Sequence, residues 1–125
     1  MKTLFIRCLV VGAAGFVGAI ARYLVSLLAG RINLNFPLGT FVINVWGCLF
    51  LGWFLGFSGS RNVSEFTKLA LGVGFVGAYT TFSTFCYESN SLLSDGSEIK
   101  ALVNLIGSVV VGLIAVRLGI ALARS

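Results

Sequence analysis

Charge is scarce in this chain of 125 residues: Asp, Glu, Lys and Arg together make up 10% of it, whereas apolar residues make up 58%. A soluble domain carries about 25% charged residues, so this sequence has too few to cover a globule in water. A disordered chain is excluded as well, because disorder requires low hydrophobicity and high net charge. The composition therefore predicts an integral membrane protein.

Histidine is absent, and only four acidic residues are present. With so few titratable side chains no catalytic set can be assembled, and the sequence has no glycine-rich phosphate loop, so we expect no enzymatic activity. The three cysteines lie inside apolar stretches, at Cys8, Cys48 and Cys86. This placement predicts small buried side chains rather than disulfide bonds or metal ligands. The net charge of +5 rests on few groups, which we expect at lipid headgroups and not on nucleic acid.

The charged residues that do occur leave long stretches free of charge. Three such stretches lie between Arg31 and Arg61, between Lys68 and Glu88, and between Lys100 and Arg117. They hold 29, 19 and 16 residues, and with their apolar flanks each provides the about 20 helical residues that cross a bilayer. A fourth apolar stretch opens the chain. We therefore predict one domain, residues 1–125, with transmembrane helices at about 4–28, 36–57, 67–88 and 101–123. Short connections rich in Gly, Ser and Asn lie near 29–35, 58–66 and 89–100.

The first apolar stretch admits a second interpretation. Lys2 and Arg7 precede it, and Ala19-Ile20-Ala21 resembles a cleavage site, a pattern typical of a removed signal peptide. The apolar run nevertheless continues to Leu28, which favours a membrane span.

The basic residues near the span ends set the orientation of the helices only weakly. With four spans, both chain ends and the middle connection share one side of the membrane. That side carries Lys2, Arg7, Arg61, Lys68 and Arg124, and the other carries Arg22, Arg31 and Lys100. So small a bias predicts insertion in both orientations. The 16 glycines, many of them inside the spans, allow close helix packing and predict an oligomer, most simply a two-fold dimer.

Asn44 lies well inside the second predicted span. A carboxamide at that depth requires partners for two donors and an acceptor. Asn44 either forms a hydrogen bond between helices or lines a pore as a donor, and the sequence leaves both possibilities open.

The third predicted span holds a polar run, from Gly74 to Phe85, in which glycines precede a cluster of Thr and Ser. Because these residues compete for backbone hydrogen bonds, we predict a broken helix near 77–81. Carbonyl groups freed by such a break suit a hard cation such as Na⁺. Phe82 and Phe85 share a helix face, and their positive ring edges are able to stabilise an anion, with ordinary packing as the alternative.

Polar residues elsewhere in the spans admit two interpretations each. Arg22 is either an interfacial anchor or an anion-attracting vestibule residue, and Glu88 marks either a helix end or a vestibule. In the fourth span Asn104, Ser108 and Gly112 recur every four residues, and they form either a packing seam or a polar wall.

Several of these motifs together resemble a known family. They are Gly15-Phe16-Val17-Gly18-Ala19 with Arg22-Tyr23, Pro37 and Gly39-Thr40 with Asn44 and Gly47, Gly77 with Thr80-Thr81-Phe82-Ser83-Thr84-Phe85, and Asn104 with Ser108. The Thr-Thr-Phe-Ser-Thr-Phe run with its upstream Asn is highly specific. On these residues the chain resembles the CrcB/Fluc fluoride channels over essentially its whole length.

The resemblance implies an all-α membrane protein with a broken third helix, assembled as an antiparallel, dual-topology homodimer with two fluoride pores. The implied function is passive export of fluoride from the cytoplasm through a bacterial inner membrane, which gives fluoride resistance. The implied roles are pore lining by Asn44, Phe82 and Phe85, hydroxyl contacts from Ser83, Thr84 and Ser108, vestibule positions for Arg22 and Glu88, and backbone carbonyls of Gly77 and Thr80 that bind a central structural Na⁺.

Two other functions stay open. A small proton-coupled exporter built as a similar dimer requires a titratable carboxylate deep in the membrane, and Glu88, at a span end, comes nearest to that position. A passive subunit of a larger complex is the third possibility.

Overall fold

The structure, a computed structural model, describes residues 1–32 and 35–125, and every regular element in these residues is helical. The elements are α1 (Lys2–Gly30), α2 (Leu38–Ser60), α3 (Glu65–Lys68), a π-helix (Leu69–Val76), α4 (Gly77–Tyr79), α5 (Phe82–Ser94) and α6 (Glu98–Arg124). Within the described part of the chain, four helical stretches are long and apolar enough to cross a membrane: α1, α2, Glu65–Ser94 and α6. The prediction of an all-helical membrane protein is therefore confirmed. The predicted connection at 29–35 includes residues 33 and 34, which lie outside the described residues.

α2 and α6 lie side by side and run in the same direction. Cys48 lies beside Gly112, and one turn further along both helices Gly52 lies against the backbone of Val116. The contact is close because glycine has no side chain to hold the two backbones apart, as is common between helices in lipid.

The two helices approach most closely at Gly119. Adding a single methyl group there is expected to cause a large loss of stability. A Cβ atom at Gly119 would meet the carbonyl oxygen of Leu49 and lie 2.6 Å from the amide nitrogen of Trp53, and neither backbone atom is able to move alone. We expect Gly119→Ala to destabilise the protein by about 1–3 kcal/mol or more, since the whole helix must shift. Thermal unfolding in detergent, followed by size-exclusion chromatography, measures the effect.

The matched control lies on the same helix. The nearest atom to a Cβ at Gly107 is Cε2 of Phe41, at 4.0 Å, which is ordinary contact. We expect Gly107→Ala to keep or slightly raise the melting temperature, because alanine favours a helix over glycine by about 1 kcal/mol. Equal melting temperatures for the two variants would contradict this account of the helix contact.

α1 packs along the first part of the third span, and these two helices are also parallel. At their beginnings Arg7 and Glu65 form an exposed ion pair, with 2.9 Å between Nη2 and Oε1. Further along, Gly18 lies against the backbone carbonyl of Phe75. The first and third spans therefore run together, as alternation of direction along a four-span chain requires.

The third span departs from the α-helix at two places. After α3 it widens into the π-helix, a feature that the sequence did not predict, and it returns to α-helix at Gly77. α4 ends at Tyr79, and Thr80 (φ −79°, ψ 159°) and Thr81 (φ −147°, ψ 120°) are extended. The interruption is therefore shorter than the predicted 77–81 stretch, because Gly77–Tyr79 stays helical.

Candidate functional site

Asn44 is tied to the interruption of the third span by two hydrogen bonds. Its Nδ2 donates to the carbonyl oxygen of Thr81 over 3.0 Å, and the backbone N–H of Thr81 donates to its Oδ1 over 2.9 Å. The Thr81 backbone fixes which amide atom is oxygen, since an N–H must face Oδ1 and a carbonyl must face Nδ2. The hydrogen bond between helices is therefore present, and it leaves the second N–H of Nδ2 for another partner.

This pair, called here the Asn44–Thr81 clamp, changes the bonding of the neighbouring backbone. In a continuous α-helix the N–H of Thr81 bonds the carbonyl of Gly77, and the N–H of Thr84 bonds the carbonyl of Thr80. Here the N–H of Thr81 donates to Asn44, and the N–H of Thr84 donates to Oγ1 of Thr81 over 3.3 Å. The two carbonyls that the resemblance assigns to a metal ion thus give up their helical donors.

A cation site made of side chains is not available nearby. Among residues 1–32 and 35–125, no group of three or more His, Cys, Asp or Glu side chains comes together. Backbone carbonyl oxygens are suitable ligands for hard cations such as Na⁺, so the carbonyls of Gly77 and Thr80 fit that chemistry. Gly77 is exposed on the described surface, where a further molecule has access to it.

A cavity of about 250 Å³ lies beside the clamp. Its lining is mostly apolar and comes from α2 and the third span: Asn44, Gly47, Cys48, Leu51, Val76, Thr80, Thr81 and Phe82. Asn44 and Phe82, which the family resemblance assigns to one pore, thus line the same cavity.

The two predicted phenylalanines are neighbours with different surroundings. Their ring centroids lie 5.9 Å apart with 39° between the ring planes. Phe82 is 77% exposed, whereas Phe85 is 8% exposed and packs inside the bundle. Ser83, between them, is exposed, so the described surface presents a ring and a hydroxyl side by side at the start of α5.

Arg22 and Glu88 line two further cavities that share part of their walls. The cavity of Arg22, about 210 Å³, also contains Thr81 and Thr84, and the cavity of Glu88 measures about 270 Å³. Ser26 and Thr40 line both. Since Thr81 lines the first cavity and the Arg22 cavity, the Arg22 cavity shares lining residues with each of the other two.

The Glu88 carboxylate is buried at one atom. Its Oε2 is shielded from solvent and has no hydrogen-bond partner among the described residues. A buried carboxylate oxygen without a partner is costly, so this group is a place where a water molecule, a cation or a proton is favoured.

Ser108 belongs to a chain of hydrogen bonds that ends near Phe85. Ser108 Oγ donates to Oδ1 of Asn104 over 3.4 Å, Asn104 Nδ2 donates to Ser89 Oγ over 2.9 Å, and Ser89 donates to the Phe85 carbonyl over 2.7 Å. Asn104 is only 1% exposed. Asn104 therefore joins α6 to α5, while Ser108, one turn further along α6, bonds to Asn104 of its own helix.

Four polar residues near this site were not assigned from the sequence. Thr40 precedes Asn44 by four residues and Ser26 follows Arg22 by four, so helix spacing alone places each beside a residue that was singled out. Thr81 lies in the specific motif, but its partner on α2 is 37 positions away. Ser89 carries no comparable signal, because its bond to Asn104 depends on how α5 and α6 pack.

Comparison with known proteins finds the same family. The family model described as "CrcB-like protein, Camphor Resistance (CrcB)" matches residues 9–120. A protein of Chlorobium phaeobacteroides named fluoride-specific ion channel FluC is 42% identical over 125 residues, covering 99% of this chain and 98% of the relative. FluC of Prosthecochloris aestuarii is 43% identical over 126 residues, with the same coverage.

A third relative agrees with the first two. FluC of Chloroflexus aurantiacus is 46% identical over 121 residues, covering 95% of this chain and 94% of the relative. The resemblance seen in the motifs is thus confirmed over nearly the full length of the chain. This multi-pass membrane protein belongs to the CrcB-like family.

Proposed function

We propose that this protein is a fluoride-selective channel that lets F⁻ leave the cytoplasm passively. The observation that carries the proposal is the cavity that Asn44, held by Thr81, and Phe82 both line. The names of the relatives, each a fluoride-specific ion channel, support the choice of anion.

The chemistry of this cavity suits a small anion that has lost its water. Fluoride is strongly hydrated, so a narrow apolar passage must replace its hydration shell with close donors. The remaining N–H of Asn44 and the positive edge of an aromatic ring supply such donors without a fixed charge. A larger halide fits less well among groups so closely placed.

The interruption of the third span adds a second source of favourable charge. α5 begins at Phe82, and the first backbone N–H groups of a helix carry partial positive charge that favours anions. The end of α4 carries the opposite partial charge on its carbonyls, which favours a cation. A break in the helix therefore offers an anion-favouring end and a cation-favouring end next to each other.

The complete pathway in this proposal is built by two copies of the chain. An antiparallel homodimer, inserted in both orientations, contains two fluoride pores, and the break lies near the middle of the membrane. Phe82 is exposed in the single chain, so its ring is free to contact a partner. Asn44, Phe82 and Phe85 line each pore. Three side-chain hydroxyls extend the pore as a polar track: Ser83, Thr84 and Ser108.

In the proposed dimer a structural Na⁺ would be held between the two copies. The carbonyl oxygens of Gly77 and Thr80 in each copy would be its ligands, four in total. The diversion of the Thr81 and Thr84 N–H groups to side chains supports this site, because it leaves both carbonyls with free lone pairs. Na⁺ when bound supplies a positive charge that holds the two copies together.

The proposed setting is the inner membrane of a bacterium. HF crosses membranes as a neutral acid and dissociates at cytoplasmic pH, which traps F⁻ inside. A passive channel then releases the anion, since the negative interior drives anions outwards. Arg22 and Glu88 line cavities that share Ser26 and Thr40, and the Arg22 cavity also shares Thr81 with the cavity of Asn44, which suits positions at the pore mouths.

One observation keeps a second function in view. The partnerless Oε2 of Glu88 is the kind of group that a proton-coupled exporter uses. In that case fluoride would move only together with a proton gradient.

Efflux from liposomes separates these functions. Purified protein in K⁺-loaded vesicles should release fluoride as soon as valinomycin provides a counter-current of K⁺, and it should do so at equal inner and outer pH. Chloride release under the same conditions should stay at the level of empty vesicles. A fluoride electrode and a chloride electrode follow the two ions.

The outcomes are distinct. Fluoride release that requires a pH gradient supports the exporter and overturns the channel. Equal release of chloride overturns the assignment of the ion. Absence of any release from vesicles that contain assembled protein leaves the role of a passive subunit.

A further inference from the structure

We propose that Asn44 and Thr81 are the positioning residues that keep the carbonyls of Gly77 and Thr80 available to a cation. This inference rests on the cation site proposed above. It assigns to Asn44 a second role, separate from lining a pore, and it gives Thr81 a role that the sequence motif alone did not supply.

Asn44 takes away the helical donor of the Gly77 carbonyl. This carbonyl is the helical acceptor for the N–H four residues later, on Thr81. That N–H instead donates to Asn44 Oδ1 over 2.9 Å, and the Thr81 carbonyl accepts from Asn44 Nδ2 over 3.0 Å. Because the side chain binds both backbone groups of Thr81, it holds this residue in the extended conformation, which turns the N–H away from Gly77.

The Thr80 carbonyl loses its donor in a different way. In a continuous helix it would accept the N–H of Thr84. Thr81 is the N-cap of α5, and its Oγ1 accepts this N–H over 3.3 Å. The same hydroxyl donates to Oγ1 of Thr84 over 3.0 Å, which fixes its orientation. The Gly77 carbonyl thus loses its donor to the Asn44 side chain, and the Thr80 carbonyl loses its donor to the Thr81 side chain. Thr81 takes part in both changes.

Packing against α2 keeps the interruption from closing. Gly47 lies one turn after Asn44 on the same face of α2, and a Cβ there would collide with the methyl group of Thr80. Thr80 is further held by its own Oγ1, which donates to the Val76 carbonyl over 3.0 Å. α2 therefore fixes the conformation of the interruption through two contacts: Asn44 binds Thr81, and the methyl group of Thr80 packs in the space beside Gly47.

The consequence is a coupling between these side chains and cation affinity. Without the Asn44 amide, the N–H of Thr81 is free to return to the Gly77 carbonyl, which lets the helix continue and removes a ligand. Without the Thr81 hydroxyl, the N–H of Thr84 is free to return to the Thr80 carbonyl. Either change raises the Na⁺ concentration at which the ion begins to stabilise the folded protein. A substitution that only destabilises the fold leaves that concentration unchanged.

The test is a Na⁺ titration of thermal stability in detergent, with K⁺ replacing Na⁺ at constant ionic strength. A bound ion stabilises the folded protein once its concentration exceeds the dissociation constant, so the onset of stabilisation reports affinity. We expect the onset to move to roughly 10-fold higher Na⁺ in Asn44→Ser and in the near-isosteric Thr81→Val, a shift typical of coupled sites. Thr81→Ser, which keeps the hydroxyl, should restore the wild-type onset.

A matched control lies on α2. Ser58 is buried, and its hydroxyl donates to the Leu55 carbonyl of its own helix over 3.2 Å. Ser58→Ala removes a buried hydroxyl whose hydrogen bond stays within α2, about four helical turns from Asn44, so it should lower the melting temperature at all Na⁺ concentrations by the same amount. An equal lowering in Asn44→Ser and Thr81→Val, with an unchanged onset, overturns the inference.

Fluoride efflux of the wild type, measured on the same preparation, tests the channel function separately from the positioning roles of Asn44 and Thr81. A wild type that conducts fluoride and responds to Na⁺, with variants that respond at the wild-type concentration, overturns the positioning roles and leaves the channel intact. A wild type without any response to Na⁺ overturns the cation site and the inference with it. If Thr81→Val does not assemble, Asn44→Ser decides by the same titration, because it alters only the Gly77 carbonyl.

Discussion

Replacing Asn44 with aspartate is expected to lower fluoride efflux by about 100-fold, although the side chain keeps its size. The change removes the N–H of Asn44 that the bond to Thr81 leaves free, and a hydrogen bond from such a donor to a charged group contributes about 1.5–3 kcal/mol. It also places a negative charge beside the path of an anion, where the low dielectric strengthens repulsion. Both effects act against the permeating ion, so they add to each other in the Asn44→Asp variant.

The same substitution strains the clamp on one side only. One carboxylate oxygen still accepts the N–H of Thr81, but the other faces the Thr81 carbonyl, which Nδ2 of Asn44 binds over 3.0 Å in the native protein. Efflux from liposomes gives the rate, and size-exclusion chromatography shows whether the assembly persists. A rate close to that of the wild type, in assembled protein, would exclude the Asn44 amide from the pathway.

Asn90→Asp is the matched control for this experiment. Asn90 lies on α5 and is exposed, and its backbone carbonyl accepts a hydrogen bond from Ser94. The substitution therefore adds the same charge to the third span without removing a donor from the cavity beside Asn44. Efflux should stay within about twofold of the wild type, since charges separated by solvent are largely screened.

The four apolar helices follow directly from the sequence, because their signal is local. A charge within a span is expensive in lipid, so the charge-free stretches mark the helices without knowledge of their contacts. The interruption at Thr80 and Thr81 is local in the same sense, since Thr and Ser side chains compete with helical hydrogen bonds.

The extent of the interruption and the π-helix depend on packing between helices. The helix stops at Tyr79 and not at Gly77 because Asn44 reaches Thr81 and the surface beside Gly47 receives Thr80, contacts that span more than 30 positions in the chain. The π-helix between Leu69 and Val76 contains apolar residues and glycines that also fit an ordinary helix. No pattern in these residues distinguishes the two conformations.

The candidate site was predictable in its chemistry and not in its bonding. Amide, hydroxyl and aromatic groups in the middle of apolar stretches are unusual, so Asn44 and Phe82 are prominent in the sequence alone. Which donor meets which acceptor depends on the rotation of one helix about another. For this reason the bond from Asn104 to Ser89, buried between α5 and α6, was visible only in the structure.

Substitution of the two phenylalanines by isoleucine is the second change from which we expect a large effect. Isoleucine keeps an apolar side chain of similar bulk, so repacking costs less than about 1.5 kcal/mol. It lacks the positive ring edge, however, and therefore offers nothing to an anion that has lost its water. We expect Phe82→Ile and Phe85→Ile each to lower fluoride efflux by about 10-fold or more, which corresponds to about 1.4 kcal/mol at the barrier.

The different burial of the two rings makes the pair informative. Within one copy of the chain Phe82 is 77% exposed and Phe85 is 8% exposed. A loss of packing alone therefore lowers the stability of the single copy in Phe85→Ile, whereas in Phe82→Ile it weakens only contacts with the partner copy. A ring edge that faces the anion predicts lower efflux in both variants. Phe54, 3% exposed and stacked on Phe50 in α2, supplies the control Phe54→Ile for packing without the anion. If efflux follows the melting temperature across all three variants, the rings act only by packing; if both third-span variants conduct poorly while Phe54→Ile conducts normally, the ring edges act on the ion.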